Sequence, residues 1–336
     1  MRNAETHAVG AVRPAPVMQW ASRNGQLIAL LGALVLLMIY NVIFTRNFVS
    51  IQTLNVNLTQ VANIVIISVG MTFVIATGGI DISVGSLMAI AGALAPTFFL
   101  TPPGGNHTLG LVLAFTLPVL LAGFFGVING TLVTRFNIQP IIATLVFLIG
   151  GRGIAQVITN GTVININDPQ FQFIGLGKPF GIPFQVIIML VVVVIAAWVL
   201  RSTVFGRYVL AVGGNEKAAR LAGVPVARVK VLVYTISGLL AGIAGLIVIA
   251  INSSADASLA GQGIELDCIA AVAVGGTNMA GGSATISGTL VGALFIQLIR
   301  YTLLANGVPD AWSQIIKGII IVAAVYLQLV RRPSRS

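Results

Sequence analysis

The residues able to do chemistry in this chain are few, and they lie in apolar surroundings. Asp81 sits in Gly78-Gly79-Ile80-Asp81-Ile82-Ser83-Val84-Gly85-Ser86, with Thr77 just before it. A charged group at bilayer depth costs a few kcal/mol or more, so it must be paired, hydrated or facing a cavity. Paired glycines interrupt a helix, and the freed backbone groups need a polar cavity or protein neighbours. Two readings stand side by side. A broken helix lines a solute pathway, with Thr77, Asp81 and Ser83 offering hydrogen bonds. Alternatively, Asp81 or Ser83 caps a helix that starts near Val84 at a membrane edge. Asn278, in the similar stretch Gly275 to Ser283, is open to the same two readings. Arg152, in Gly150-Gly151-Arg152-Gly153, either snorkels to the interface or pairs with an acid.

Other chemistries lack their residues. There is no Gly-x-x-x-x-Gly-Lys-Ser/Thr loop, so the chain does not hydrolyse ATP by that route. There is no His-Glu-x-x-His, and the two histidines, His7 and His107, lie outside the apolar spans. Cys268 is the single cysteine, which excludes an internal disulfide and a cysteine metal site, and it reads as a small apolar residue. No Ser-His-Asp set is apparent. The expectation is a non-enzyme with no metal and no cofactor.

Composition says what must position these residues. Of 336 residues, 57% are hydrophobic and 8% charged, against about 25% charged in soluble domains. A net charge of +10 suggests nucleic acid at first sight. The cations, however, fall at segment ends without interleaved aromatics, as topology signals and lipid-headgroup anchors do. Nucleic acid is therefore not an expected partner, and membrane lipid is. Apolar spans run over 26–44, 58–79, 84–101, 108–130, 138–158, 184–200, 229–251, 266–281, 284–304 and 312–330. The first is too long for a signal-peptide core and has no small-residue cleavage site after it. The expected fold is an all-α polytopic membrane protein of about ten transmembrane helices, some interrupted.

Charge orients these spans. With the N-terminus inside, Arg135, the loop 201–228 and Arg331, Arg332 and Arg335 fall inside, while 159–183 and 252–265 fall outside. The outer loops hold Asp168, Asp256 and Glu265 against Lys178 alone. The expected organisation is a cytoplasmic tail over 1–25, a membrane domain over 26–330 and a cytoplasmic tail over 331–336.

Glycine spacing adds two further readings. Gly238-x-x-x-Gly242 and Gly288-x-x-x-Gly292 let helix backbones touch, either within one subunit or between subunits. Gly78 to Ser86 and Gly275 to Ser283 share the pattern G-G-x-D/N-x-x-x-G-S. Gly123, Asn137 and Pro140 share their spacing with Gly292, Asn306 and Pro309. The offsets of the two echoes differ, yet duplicated halves of this kind mark transporters.

Charge gathers at one place. Arg201, Arg207, Lys217, Arg220, Arg228 and Lys230 accompany Glu216 between two apolar spans. The loop is either a docking site for a soluble partner or merely solvated. Glu216, Lys217 and Arg220 can share a short helix that Asn215 caps with its side-chain oxygen.

The stretch Thr203 to Val224 resembles the cytoplasmic loop of ribose-type sugar ABC-transporter permeases. Gly78 to Ser86, Glu265-Leu266-Asp267 with Ala270 to Gly276, and Gly288 to Ala293 resemble the same family. The likeness runs over about residues 26–330, and Gly70 to Ala93 reads most like the galactofuranose permeases. The resemblance implies a bacterial inner-membrane permease that pairs with an identical or sister permease. It also implies two cytoplasmic ATPase subunits and a periplasmic binding protein that delivers a monosaccharide. Gly206 to Val224 would form the coupling helix, with Gly206, Arg207, Asn215, Glu216, Ala219, Arg220 and Gly223 as its marked positions. Glu216, Arg207 and Arg220 would be its polar contacts. The rival is an ion-coupled secondary transporter or a channel for a small polar solute. Scarcity of intramembrane charge favours a neutral solute and disfavours ion coupling.

Overall fold

A computed structural model describes residues 25–330. The expected C-terminal tail, and the N-terminal tail apart from Gly25, lie outside the described residues. The chain is helical almost throughout, in the order α1 (Gly25–Phe44), α2 (Ile51–Ala76), α3 (Val84–Leu100), α4 (His107–Arg135), α5 (Pro140–Ile158), α6 (Pro169–Leu176) and α7 (Phe184–Ser202). It continues as α8 (Val204–Gly214), α9 (Glu216–Leu221), α10 (Val226–Asn252), α11 (Ile264–Val274), α12 (Ile286–Ala305) and α13 (Asp310–Val330). The two-residue strands β1 (Ile164–Asn165) and β2 (Ser254–Ala255) pair antiparallel, Ile164 opposite Ala255.

Seven of the described helices are long and apolar enough to cross a membrane: α1, α2, α4, α5, α7, α10 and α12. The all-helical, multi-pass expectation therefore holds. The stretch expected as a span over 266–281 is shorter than it reads. α11 has 11 residues and ends at Val274, with Gly275 as its C-cap, so it covers about half of a ~30 Å hydrocarbon core at 1.5 Å per residue.

The core centres on α2, which is buried at every position from Val61 to Ala76. It packs against α10, α12, α7 and α11. α10 runs antiparallel to α4 at backbone contact. A Cβ on Gly126 would lie 2.3 Å from the Tyr234 carbonyl oxygen, and one on Gly238 would lie 2.3 Å from that of Ala122. Gly288 and Gly292 likewise face the backbone of Gly275 and Ala271. Both Gly-x-x-x-Gly spacings thus serve close packing within this chain. Where no water is available, side-chain hydrogen bonds tie the helices. Thr72 and Thr289 share one of 2.8 Å, and Asn41 donates to Thr302 Oγ1 at 2.6 Å.

Loops sort to two ends. β1 pairs with β2, and Gly175 packs on Ala250 and Ile251, so 159–183 and the end of α10 lie together. Gly130 packs on Val231, which puts Arg135 at the opposite end, with the start of α10 and with α8–α9. For Arg135, 201–228 and 159–183 this matches the grouping expected from charge.

The chain after α10 does not stay at its end. α3 and α10 run parallel, with Gly245 against Met88 and Gly92 against Ile249. Gly261 nevertheless touches Gly85, one turn deeper than Met88, so 253–263 folds back into the helical body. Arg152 supports this excursion. Its guanidinium donates to the carbonyl oxygens of Ala257 at 3.1 Å and Ser258 at 3.4 Å, and also to that of Ala260. It satisfies freed backbone acceptors at depth, a partner the sequence did not name.

Candidate coupling site and glycine junction

The charged loop folds as two helices, α8 and α9, where the resemblance implies one. The break falls at Asn215, which has extended backbone and accepts from the Ala218 amide at 3.0 Å, capping α9. α9 ends in a left-handed glycine, Gly223, at φ 82°. The Gly223 amide bonds to the Arg220 carbonyl and the Val224 amide to that of Ala219, the paired bonds of a Schellman stop. At the other end Thr203 caps α8 by accepting from the Gly206 amide at 3.1 Å. Gly206 has no room for a Cβ, which would lie 2.4 Å from the Val199 and Leu200 carbonyl oxygens. Arg207 is exposed and Ala219 is buried.

Glu216 is the tie of this unit. Arg220 Nη2 donates to its Oε1 at 3.0 Å, and Lys230 Nζ of α10 donates to its Oε2 at 2.6 Å. The hydrogen bond from Lys230, with the charges of Lys230 and Arg220, holds its carboxyl below the usual carboxylate range despite partial burial. Lys230 is the partner that sequence spacing alone left unpaired. Leu221 was also missed. It is 90% exposed, a large apolar side chain at the tip of a polar loop. Its only sequence signal is an apolar residue beside Arg220 on a helix too short to bury it.

α8 leads from this loop into the helical body. A Cβ on Gly213 would lie 1.8 Å from the Ala76 carbonyl oxygen and 2.5 Å from the Gly282 amide nitrogen. The Gly282 amide donates to that same Ala76 carbonyl at 3.0 Å, and Gly281 abuts Gly78 and Gly213. The two similar glycine stretches, distant in sequence, therefore meet each other and the end of α8. Thr77 is buried in the first turn and donates to the Val74 carbonyl at 2.8 Å. Asn278 shapes the second, donating to the Gly281 carbonyl at 2.9 Å and accepting from the Ala280 amide at 3.1 Å.

Above the junction lies a buried polar knot. Asp81 and Ser83 are both wholly buried. Asp81 Oδ1 accepts from the Ser83 hydroxyl at 2.5 Å and the Ser83 amide at 3.0 Å, and its Oδ2 accepts from Ser237 of α10 at 2.7 Å. Asn129 of α4 donates to Ser83 Oγ at 2.9 Å. Ser83 occupies the N-cap position of α3 without a side-chain cap bond, so Asp81 holds the start of α3 through Ser83 itself. Tyr234 closes the knot, its hydroxyl 2.6 Å from where a Gly79 Cβ would stand. Thr77, Asp81 and Ser83 thus share one turn, while Asn278 sits in the other. Asn129 and Ser237 each follow from a polar residue beside a glycine in an apolar span, but their convergence does not.

Comparison with known proteins decides the class. A family model described as the permease component of a branched-chain amino acid transport system matches residues 53–325. The chain belongs to this permease family. Among curated relatives, the ribose import permease of Escherichia coli K12 is 41% identical over 310 residues, 91% of this chain and 93% of that protein. The galactofuranose transporter permease of the same organism is 40% identical over 275 residues, 82% of this chain and 79% of that one. An L-arabinose ABC transporter permease of Azospirillum brasilense is 37% identical over 286 residues, 85% and 81% of the two chains. No solved structure matches. The site in this permease comprises a glycine junction, a buried polar knot and an exposed charged loop.

Proposed function

We propose that this permease is the membrane subunit of an ABC importer that moves a monosaccharide inward. The carrying observation is that relatives covering more than four-fifths of the chain are named for the import of ribose, galactofuranose or arabinose. ATP would be hydrolysed on separate cytoplasmic subunits, and a periplasmic binding protein would deliver the sugar. A second permease, identical or sister, would complete the pathway. The positive loops 201–228 and Arg135 share one end, which supports placing that end and both termini in the cytoplasm. Ten membrane segments, with α3 and α11 as partial ones, and two related halves meeting at their glycine turns, make up the proposed domain over 26–330.

In this reading α8–α9 is the coupling element. Gly206, Asn215, Ala219 and Gly223 shape it, Glu216 fixes it to α10, and Arg207, Arg220 and Leu221 face the ATPase. The glycine junction is the inner gate. In the present arrangement the polar groups of Thr77, Asp81, Ser83 and Asn278 are served by protein partners. When α8 withdraws, the same groups offer hydrogen bonds to a passing sugar. Only contacts that differ between the two states can drive such a shift, and the junction is built from contacts that α8 makes or breaks.

The test is reconstitution in liposomes with the ATPase and binding protein from the same operon, with radiolabelled ribose, arabinose, fructose and galactofuranose. Uptake should require all components and ATP. Uptake by the permease alone, or none of these sugars moved by the complete set, would overturn the proposal.

A further inference from the structure

The geometry points to a receiving site for a neutral polyhydroxylated solute between α2, α6 and α7, at the end of the molecule opposite α8–α9. Gln52, Asn55, Thr59 and Gln60 recur at helical spacing on one face of α2. They border a cavity of about 720 Å3, with Lys178 and Gln185 on its other side. That volume lies within the roughly 300–1,000 Å3 of small-molecule sites. Gln60 is exposed within a membrane-spanning helix. A polar stripe there must face water or protein rather than lipid.

One acceptor beside this stripe lacks a protein donor. Gln185 is wholly buried and donates from Nε2 to Thr59 Oγ1 at 2.9 Å, while its Oε1 has no partner. Gln60 Oε1 accepts from Gln297 of α12 at 2.5 Å, which fixes this end of the stripe. A buried acceptor left without a donor is costly, so one beside a cavity is suited to a donor brought by water or a ligand. Carboxamides both donate and accept, as sugar hydroxyls do. No acid borders the cavity, and Lys178 is the one cation among the residues that do. An amino acid, which the family description names, would leave its ammonium unpaired there. The inference rests on the sugar-import reading and adds where the solute is first received.

Cysteine labelling tests it in the complete transporter in spheroplasts. Cys268 is buried and is the only cysteine of this chain, so the chain itself adds no reactive background, and the complex with the wild-type permease sets the baseline. Asn55→Cys and Gln60→Cys should react with a membrane-impermeant methanethiosulfonate at least tenfold faster than Ile195→Cys on an exposed apolar face. Modification should stop uptake, and saturating sugar with binding protein should slow it. Gln185→Leu should cut uptake at sub-saturating sugar about tenfold, with the melting temperature unchanged. Unreactive Asn55→Cys and Gln60→Cys, or labelling that leaves uptake intact, would overturn the site. Wild-type uptake is measured first: its absence for every sugar sinks the sugar-import reading, whereas normal wild-type uptake with indifferent variants sinks this site alone.

Discussion

Gly213→Ala is the sharpest test of the junction. The added Cβ would fall 1.8 Å from the Ala76 carbonyl oxygen and 2.5 Å from the Gly282 nitrogen, where separations below 3.0 Å are essentially never seen. Both obstacles are backbone, so no side-chain rotation relieves them. Restoring 3.0 Å to Ala76 takes a displacement of roughly 1.2 Å, at the upper end of the ~1–3 kcal/mol that overpacking costs. That displacement must strain the 3.0 Å bond from Gly282 to Ala76, because the same carbonyl is involved. The expected result is a lower melting temperature for the detergent-solubilised permease. ATP hydrolysis by the assembled complex should persist while sugar uptake falls at least tenfold. Gly214→Ala is the control, since its nearest foreign atom is 4.0 Å away. Wild-type stability and uptake for Gly213→Ala would refute the claim that α8 seats against both turns.

The remaining predictions concern the knot and the loop. Asp81→Ala should strip acceptors from Ser237 and Ser83, at about 1–3 kcal/mol for each buried group left unpaired. Asp81→Asn, which keeps an acceptor, should melt between it and wild type; equal melting of all three would sink the knot. Glu216 has its folded carboxyl held low, so its contribution is complete above the ordinary carboxylate range. It is lost only as pH falls through the lowered value. Hydrogen-exchange protection factors at the amides of 218–221, taken relative to the unstructured rate at each pH, should therefore stay flat from pH 8 down to that range, and loosening that begins near neutrality would contradict the tie. Glu216→Lys should abolish uptake while the protein remains in the membrane, as immunoblots of membrane fractions would show; near-normal uptake would remove Glu216 from the coupling role. Leu221→Asp should weaken ATPase co-purification at least tenfold without moving the melting temperature, because burying a leucine contributes about 1.5–3 kcal/mol; unchanged co-purification would exclude Leu221 as a contact.

Much of this architecture is legible from local chemistry. Long apolar runs become helices, and Asn215, Glu216 and Gly223 specify a capped and terminated α9 by rules acting within a few residues. The misread stretches share a different cause. The segment 252–265 is expected outside from its place between two spans and its acids, yet Arg152 and Gly85, far away in sequence, draw 253–263 into the helical body. The expected span at 266–281 breaks at Gly275-Gly276 because Gly276 takes a φ of 90°. The two readings of Asp81 were both incomplete. It neither caps α3 directly nor stands open to a pathway in this arrangement, but pins Ser83 to Ser237. A pairing of residues 156 apart leaves no periodic trace in sequence.

Two mechanical routes join the loop to the knot, and they do not pass through the same helix. One runs along α8 to Gly213 and into both glycine turns. The other crosses from Glu216 to Lys230 and rises along α10 to Ser237, seven residues or about two turns higher. Asn215, extended between α8 and α9, is where the routes part. On the proposed reading, a push on α9 along one route alone would be taken up at the helix break at Asn215. In that reading, withdrawal of both would open the turns while moving Ser237 away from Asp81 at the start of α3. On the proposed reading, that requirement for two simultaneous displacements keeps the inner gate shut against thermal motion of the loop. It also explains why a loop so exposed is tied down by an ion pair whose Lys230 side chain is only 17% exposed.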